Sequence, residues 1–209
     1  MANHKTLSSA IVGDLVMNLA DRAKNIVLTP RAEWPLVDAE PTTIKDIYTG
    51  YVVPLALIPA IAGFIGTSLI GVGVPGLGTV RIGLFAGLIS AILQFGLSLA
   101  LVYVMALVID ALAPTFGGQK NMLSAFKVSA YSMTPTWLAG IFALIPAISF
   151  LSLLGLYGIY LLYLGLPRLM RTPEDKAVGY TAVVVLSALV LSIVLAGILG
   201  VLMGRSIDL

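Results

Sequence analysis

The fold is decided by forty residues that carry no charge, VSAYSMTPTWLAGIFALIPAISFLSLLGLYGIYLLYLGLP at positions 128–167. One helix crosses the hydrocarbon of a bilayer with roughly 20 apolar residues, and each residue adds about 1.5 Å. The run is therefore about twice too long for a single crossing, and we expect it to turn back. Pro146 and Ser149 mark the predicted turn, which gives spans at 121–144 and 148–166.

Neutral runs on both sides of this segment predict three more spans. The first lies at about 51–72, the second at 82–109 and the last at 178–203. The residues at 73–78 are rich in Gly and Pro, which favour a turn rather than a helix. The predicted fold class is all-α, a polytopic membrane helix bundle of about five transmembrane helices.

The composition agrees with a membrane protein and restricts its function. Of the 209 residues, 59% are hydrophobic and 11% are charged, whereas about 25% are charged in a soluble domain. Twelve Lys and Arg stand against ten acids, too balanced and scattered for a nucleic-acid interface, so no nucleic-acid partner is expected. The chain has no cysteine, which excludes a disulfide framework, a thiolate nucleophile and a cysteine metal site.

The distribution of positive charge tests the count of spans, because Lys and Arg gather in cytoplasmic loops. With five spans and a cytoplasmic amino terminus, ten basic residues lie inside and two outside. A single crossing at 128–167 gives eight against four, so the charges favour the turn, while a re-entrant loop gives the same count. The inside set is Lys5, Arg22, Lys24, Arg31, Lys45, Lys120, Lys127, Arg168, Arg171 and Lys176, and the outside set is Arg81 and Arg205.

Residues 1–50 are expected to form a separate cytoplasmic segment before the transmembrane domain at 51–209. Ser8 or Ser9 can cap an amphipathic helix. Its predicted apolar face is Val12, Leu15, Val16, Leu19, Ala23 and Ile26, and its predicted polar face is Asp14, Asn18, Asp21, Arg22 and Asn25. The helix either lies on the membrane surface, with Trp34 as an interfacial anchor, or packs on the cytoplasmic ends of the other helices.

The sequence offers no set of residues for enzyme chemistry. His4 is the only histidine, so neither a Ser–His pair nor a histidine metal cluster can form. Intramembrane acid catalysis pairs two carboxylates, and the spans contain only Asp110. We therefore expect a protein that is not an enzyme and has no cofactor.

Two charged residues at the edges of spans are candidates for a functional site. Asp110 and Lys127 lie near the cytoplasmic ends of successive antiparallel helices, where they could pair. An ionisable group at membrane depth is costly, so a proton or cation site is one hypothesis. A structural ion pair, or two solvated helix ends, is the alternative.

The third predicted span is dense in polar side chains. Ser129, Tyr131, Ser132, Thr134 and Thr136 surround Pro135. Neighbouring helices can supply their hydrogen bonds, and a polar cavity can do the same. Tyr131 and Pro135 are therefore candidate functional residues.

Three stretches of the chain resemble the Yip family, the Rab/Ypt-interacting polytopic membrane proteins, and specifically its compact bacterial members. The first is Asn25-Ile-Val-Leu-Thr-Pro-Arg-Ala-Glu-Trp34 followed by Glu40-Pro41, which is similar to the cytoplasmic lead-in of the family. The second is Ala130-Tyr-Ser-Met-Thr-Pro135, similar to a Gly-Tyr motif followed by Pro. The third is Leu164-Gly-Leu-Pro-Arg-Leu-Met-Arg-Thr-Pro-Glu-Asp-Lys-Ala-Val-Gly-Tyr180, which resembles a cytoplasmic connection of the bacterial proteins.

The resemblance implies five spans, a cytoplasmic amino terminus and a carboxyl terminus on the opposite side. Asp46-Ile-Tyr-Thr-Gly50 is only similar to the Asp-Leu-Tyr-Gly-Pro motif of eukaryotic members, because the Gly is displaced and no Pro follows until Pro54. The Rab binding that the family name implies for eukaryotic relatives is therefore not carried over.

The connection between the last two spans has a physical interpretation of its own. Thr172 can cap a helix with Pro173 at its first position, and Glu174 and Asp175 would then face the positive end of that helix. The same connection can dock a cytoplasmic partner. The candidate partner-facing residues are Asp46, Tyr48, Pro167, Pro173, Glu174, Asp175, Lys176 and Tyr180.

These observations lead to two hypotheses for the function. One is a non-enzymatic scaffold or adaptor in the inner membrane of a bacterium, with a protein partner at its cytoplasmic face. The other is a small transporter or channel for a cation or small solute, assembled as a homo-oligomer. In both cases the lipid bilayer is a partner.

Overall fold

The computed structural model describes residues 19–74 and 78–204, and most of them are helical. The helices are α1 (Leu19–Leu28), α2 (Pro30–Ala39), α3 (Ile44–Ile70), α4 (Leu84–Leu112), α5 (Met122–Ser132), α6 (Thr134–Ala139), α7 (Tyr157–Leu169) and α8 (Ala177–Gly204). Segments of 3-10 helix extend or join them at Ala113–Phe116, Gly140–Leu144, Pro146–Leu156 and Glu174–Lys176. Within α3, two π-helical turns occur at Tyr48–Val52 and Ile65–Ile70.

Four helical stretches of the described chain are long and apolar enough to cross a membrane. They are Ile44–Ile70, Leu84–Phe116, Pro146–Leu169 and Glu174–Leu195. The predicted fold class, an all-α membrane helix bundle, is confirmed. The boundaries shift, since the first helix begins before residue 51 and the second continues beyond residue 109.

The third predicted span is a broken helix, so the count of five spans is approximate. Helix α5 ends before Met133, and α6 restarts with Pro135 in its first turn. Proline lacks an N–H and disfavours a helical conformation for the residue before it, which explains a break at this point. The segment ends as a 3-10 helix at Leu144.

The turn predicted at Pro146 is confirmed. Ile145 is extended (φ −119°, ψ 100°), and the next helical segment begins at Pro146. The two arms of this hairpin pack together, with α6 and Gly140–Leu144 against Pro146–Leu156. The Ser149 hydroxyl donates to the Pro146 carbonyl at 2.8 Å and helps to close the turn.

The connection between α3 and α4 contains two short strands that were not predicted. Strands β1 (Val72–Val74) and β2 (Gly78–Val80) pair antiparallel, with Val72 opposite Val80. Gly71 ends α3 at φ 89°, a conformation that favours glycine. The centre of the predicted turn, 75–77, lies outside the described residues.

Helices α1 and α2 cover one end of the bundle, which we call the N-terminal face. Helix α2 packs on α7, and α5 packs between α4 and α7. Ala23 and Ile26 of α1 are buried as predicted. The predicted helix residues before Leu19 lie outside the described part of the chain. Trp34 is 2% exposed rather than an anchor in the lipid interface, so packing on the bundle is the correct alternative.

Candidate functional site

A buried charge cluster joins the N-terminal segment to the bundle. The Arg22 guanidinium donates to Glu33 and to Glu40, which connects α1 to both ends of α2. Arg22 is 3% exposed, which corrects its predicted place on the polar face. The guanidinium also lies 5.8 Å from the centre of the Tyr131 ring. A charge is expensive to bury unless it is paired, and these two carboxylates pair it.

Lys127 forms the second part of this cluster. Its ammonium group donates to the carbonyl oxygens of Val37 at 2.7 Å and Glu40 at 2.8 Å. These carbonyls belong to the last turn of α2 and to the residue after it. Lysine at a helix carboxyl end meets the negative end of the helix dipole. Lys127 therefore holds α2 against α5.

The pair suggested between Asp110 and Lys127 does not form among the described residues. Lys127 is 4% exposed, and its bonds go to α2. The Asp110 Oδ1 atom is buried without a hydrogen-bond partner in the described structure. Asp110 lies two residues before the end of α4, and Lys127 lies within α5.

The Tyr131 ring packs against two other aromatic rings, next to the charge cluster. It meets Tyr51 at 4.7 Å between centroids and Trp34 at 6.4 Å. The carbonyl of Tyr131 accepts a hydrogen bond from Thr134, whose hydroxyl also lies 2.7 Å from the Tyr51 hydroxyl. Pro135 is buried beside them at the start of α6. Tyr131 thus joins α2, α3 and α5.

Neighbouring helices satisfy several of the polar side chains in the broken span. Ser129 donates to the Val102 carbonyl at 2.8 Å, and Thr136 donates to the Gly155 carbonyl at 3.2 Å. The Ser132 hydroxyl is buried without a partner in the described chain. The polar density of this span is therefore largely explained by contacts between helices.

A cleft of about 680 Å³ also borders this span, between α4, α5, α7, α8 and the hairpin. Most of its wall is apolar, and no charged side chain of the described residues lines it. The hydroxyl groups in its wall are those of Ser129, Ser132, Thr136, Ser149, Ser152 and Ser192. The cavity suggested by the sequence is thus an apolar cleft with hydroxyl groups, and neither Asp110 nor Tyr131 lines it.

The 168–176 connection, between α7 and α8, is exposed at its tip and fixed at its base. Pro173, Glu174, Asp175 and Lys176 are exposed. Met170 is fully buried, and its carbonyl accepts a hydrogen bond from the Gln119 amide at 2.8 Å. The connection is therefore a defined surface.

Two predictions about this connection are wrong. Thr172 does not cap a helix, because Pro173 occupies the cap position (ψ 139°) and the Thr172 hydroxyl is buried without a partner among the described residues. Tyr180 does not face a partner, because its side chain is fully buried. Its ring stacks on Phe116 at 4.8 Å, and its hydroxyl donates to the Ile109 carbonyl.

The other candidate partner-facing residues have mixed positions. Asp46 is exposed and forms a reciprocal capping box with Thr43 at the start of α3. Tyr48 is half-buried, since its hydroxyl donates to the Leu99 carbonyl at 2.7 Å and its ring packs on Phe126. Pro167 is half-buried near the end of α7. Of these three, only Asp46 is exposed.

Comparison with known proteins identifies the family of this chain. A model of the Yip1 domain matches residues 24–196. The chain belongs to the Yip1 family. It is 34% identical over 173 residues to the inner membrane protein YohC of Escherichia coli K12, which covers 80% of this chain and 88% of that protein. YohC of Escherichia coli O6:H1 matches to the same extent. No solved structure matches the chain significantly.

The Yip1 match includes most of the charge cluster. Glu33, Glu40 and Lys127 lie inside the matched residues. Arg22 lies two positions before the first matched residue. The resemblance recognised from three sequence stretches is confirmed. Within 19–74 and 78–204, no group of three or more His, Cys, Asp or Glu could hold a metal ion.

Sequence reasoning missed Arg22, Glu33 and Glu40 as members of this site. A signal for Arg22 was present, because it follows Leu19 by three positions and precedes Ile26 by four. That spacing places it within the apolar stripe rather than opposite it. For Glu33 and Glu40 no local pattern exists, since their partner comes from another helix of the Yip1 chain.

Proposed function

We propose that this chain is a non-enzymatic scaffold of a bacterial inner membrane that binds a protein partner at its N-terminal face. The observation that carries the proposal is the 168–176 connection. It exposes an acidic tip at Glu174 and Asp175 on a base that is held by Met170. A surface that is already ordered loses little conformational entropy on binding, which favours docking.

Two further features support a scaffold. Lys127 and Arg22 are occupied in holding α2, so the charges near the membrane are used for assembly of the fold. The name of YohC supports an inner-membrane location. The excess of basic residues at the N-terminal face supports a cytoplasmic orientation of this face, with the carboxyl terminus opposite.

Photocrosslinking in cells tests this proposal. A photoreactive amino acid at Asp175 is expected to give an adduct of defined mass, and the same probe at Val80, exposed in β2, is the control. The captured protein is then purified, and its binding to the full chain in detergent is measured. Glu174→Lys should weaken that binding about tenfold, since removing a rim charge and adding its opposite changes association most.

The scaffold proposal fails under two outcomes. Equal adducts from Asp175 and Val80 would show contact without specificity. Purified partners that bind the wild type and Glu174→Lys equally would show that this surface is not the docking site. In both cases circular dichroism must confirm that the variant is folded.

The hydroxyl-lined cleft supports a second candidate function, transport of a small solute or cation by an oligomer. The buried Ser132 hydroxyl, unpartnered in the described chain, lies in its wall. Flux into proteoliposomes, measured with dyes for protons and for monovalent and divalent cations, tests it. Flux above that of empty liposomes, abolished by Ser132→Val, would establish transport. Flat traces from folded protein would leave the scaffold as the better account.

A further inference from the structure

A basic pocket of about 650 Å³ lies at the N-terminal face, between α2, the end of α7 and the start of α8. Arg31, Arg168 and Arg171 line it, together with the aromatic residues Trp34 and Tyr163. None of these arginines takes part in the charge cluster of Arg22. The pocket is thus a separate site, with its own concentration of positive charge.

The charges of this pocket are only partly compensated. Asp38 pairs with Arg168 at 3.7 Å and with Arg171 at 3.1 Å, and both guanidinium side chains remain about half exposed, at 52% and 54%. Arg31 is exposed and has no ion pair among the described residues. Glu174 is the one carboxylate among the lining residues, and Asp38 pairs with two of the arginines from beside the pocket, so three guanidinium groups stand against two carboxylates. Each guanidinium has five N–H donors, so most donors stay available to an anion.

Asp38 also positions two of the arginines. Because one of its oxygens contacts both Arg168 and Arg171, it holds the two guanidinium groups near the same point. Guanidinium groups bind phosphate oxygens in pairs of parallel hydrogen bonds. The arrangement fits a phosphate group better than a simple halide ion.

The depth of the pocket indicates where such a phosphate comes from. Tyr163 and Pro167 belong to the apolar stretch Pro146–Leu169, and Ala177 belongs to Glu174–Leu195. The pocket therefore lies where two membrane-spanning stretches reach their ends, which is the depth of lipid headgroups. Exposed apolar side chains, Ile159, Tyr160 and Tyr163, continue along α7 below it and can contact an acyl chain.

We propose that this pocket binds the headgroup phosphate of an anionic glycerophospholipid from the adjacent leaflet. Basic pockets between membrane helices recognise such headgroups through charge and hydrogen bonding. Arg31 contacts the phosphate, and Asp38 keeps Arg168 and Arg171 in place as further donors. The inference does not depend on a protein partner, because its phosphate donors are Arg31, Arg168 and Arg171, and Asp175, the crosslinking position, does not line the pocket.

Native mass spectrometry of the full chain in detergent tests this inference. Equal amounts of phosphatidylglycerol and phosphatidylcholine are added, and the ratio of the two adducts is measured. The wild type should retain more phosphatidylglycerol. Arg31→Gln should lower the ratio about fivefold, the value of one basic residue at an anionic membrane surface. Arg31→Lys, which keeps the charge, should preserve most of it.

Two controls distinguish lipid binding from folding. Arg81→Gln changes an exposed arginine whose Nε donates to the Ile70 carbonyl near the other end of α3, and should leave the ratio unchanged. The thermal midpoint of Arg31→Gln should equal that of the wild type, because Arg31 has no ion pair in the described chain. If Arg31→Gln nonetheless unfolds, the adduct ratios of Arg31→Lys and Arg171→Gln are compared instead. Arg31→Lys should keep most of the wild-type ratio, and Arg171→Gln should lower it.

Two results would overturn the proposal. One is an adduct ratio that stays the same in both Arg31→Gln and Arg31→Gln/Arg171→Gln. The other is displacement of phosphatidylglycerol by excess glycerol phosphate, which has the headgroup chemistry without acyl chains and would assign the pocket to a soluble phosphate ester. If the crosslinking experiment gives no protein adduct at Asp175, the scaffold proposal fails, but the proposal of a lipid site does not.

Discussion

At the scale of single residues, the partners of Lys127 decide what this lysine can do. Its ammonium group donates to the carbonyls of Val37 and Glu40, and it is 4% exposed. A group that carries a proton or cation must exchange its partner with solvent or substrate. Lys127 instead caps the carbonyls at the end of α2, so we assign it to assembly of the N-terminal face.

Lys127→Met tests this assignment. The substitution keeps most of the side chain's length but leaves two carbonyls without their donor, at a cost of about 2 kcal/mol. Hydrogen exchange of the α2 amides should accelerate by roughly 30-fold, since local opening becomes that much easier. Lys120→Met, an exposed lysine before α5, is the matched control. Unchanged exchange in α2 would show that α2 is held by its apolar contacts alone.

Gly165 allows the Trp34 indole to pack against α7. A β-carbon at this position would lie 2.7 Å from Cζ2 and 2.9 Å from Cη2 of the rigid ring. Gly165→Ala should therefore destabilise the fold by about 1–3 kcal/mol, which a lower thermal midpoint would reveal. Gly96→Ala, where no atom lies within 4 Å, should not. Adding Trp34→Phe to Gly165→Ala should restore part of the lost stability. If it does not, the clash with the indole is not the cause of the loss.

At the scale of elements, the broken third span is stabilised by contacts that a continuous helix would not make. Thr134 stands at the break, and its hydroxyl proton goes to the Tyr131 carbonyl. The Tyr51 hydroxyl must then be the donor in its 2.7 Å contact with Thr134. One side chain thus satisfies the backbone at the break and joins α3 to α6.

A double-mutant cycle measures the contact between these helices. Thr134→Val leaves the Tyr51 hydroxyl unpaired, and Tyr51→Phe removes that hydroxyl. The loss in unfolding free energy for the double variant should be smaller than the sum of the two single losses by about 1 kcal/mol, as for hydrogen bonds between membrane helices. Thr49→Val, an exposed threonine of α3, serves as control. Strictly additive losses would show that the hydroxyls do not interact.

The elements differ in how far the sequence could predict them. Long neutral runs gave the membrane helices and the turn before Pro146, because hydrophobic length and proline act locally. The break at Met133 needed the effect of Pro135 on its neighbours, and the prediction instead treated 121–144 as one span. For Arg22, the spacing within α1 indicates a place in the apolar stripe, but its partners could not be predicted from α1 because Glu33 and Glu40 come from the next helix and its end.

The same distinction applies to the candidate site. Charge or polarity at membrane depth is rare, so the sequence indicates Asp110, Lys127 and Tyr131, and of these Lys127 and Tyr131 do contact the charge cluster or α2. The position of Tyr180 near a connection suggests exposure, but packing against Phe116 buries it. Exposure of a residue near a loop depends on tertiary contacts that a single sequence does not give.

At the scale of the whole molecule, one end of the bundle holds most of the polar structure. The charge cluster, the basic pocket and the acidic tip of the 168–176 connection all lie at the N-terminal face. The opposite end carries the small sheet of β1 and β2 and the turn at Ile145. Because partners and anionic headgroups would meet the same face, the orientation of this face decides which compartment the protein serves.

Single cysteines can fix that orientation, because the chain has none of its own. We expect Asp175→Cys at the N-terminal face to react with a membrane-impermeant maleimide only after spheroplasts of a bacterial host are opened. Val80→Cys and Ala147→Cys, both exposed near the other end, should react while the spheroplasts are intact. Ala147 is the decisive position. In a full hairpin it reaches the outer solution, whereas a re-entrant loop would leave it within the membrane and unlabelled from either side. Labelling of Asp175→Cys from outside would reverse the topology and exclude a cytoplasmic partner.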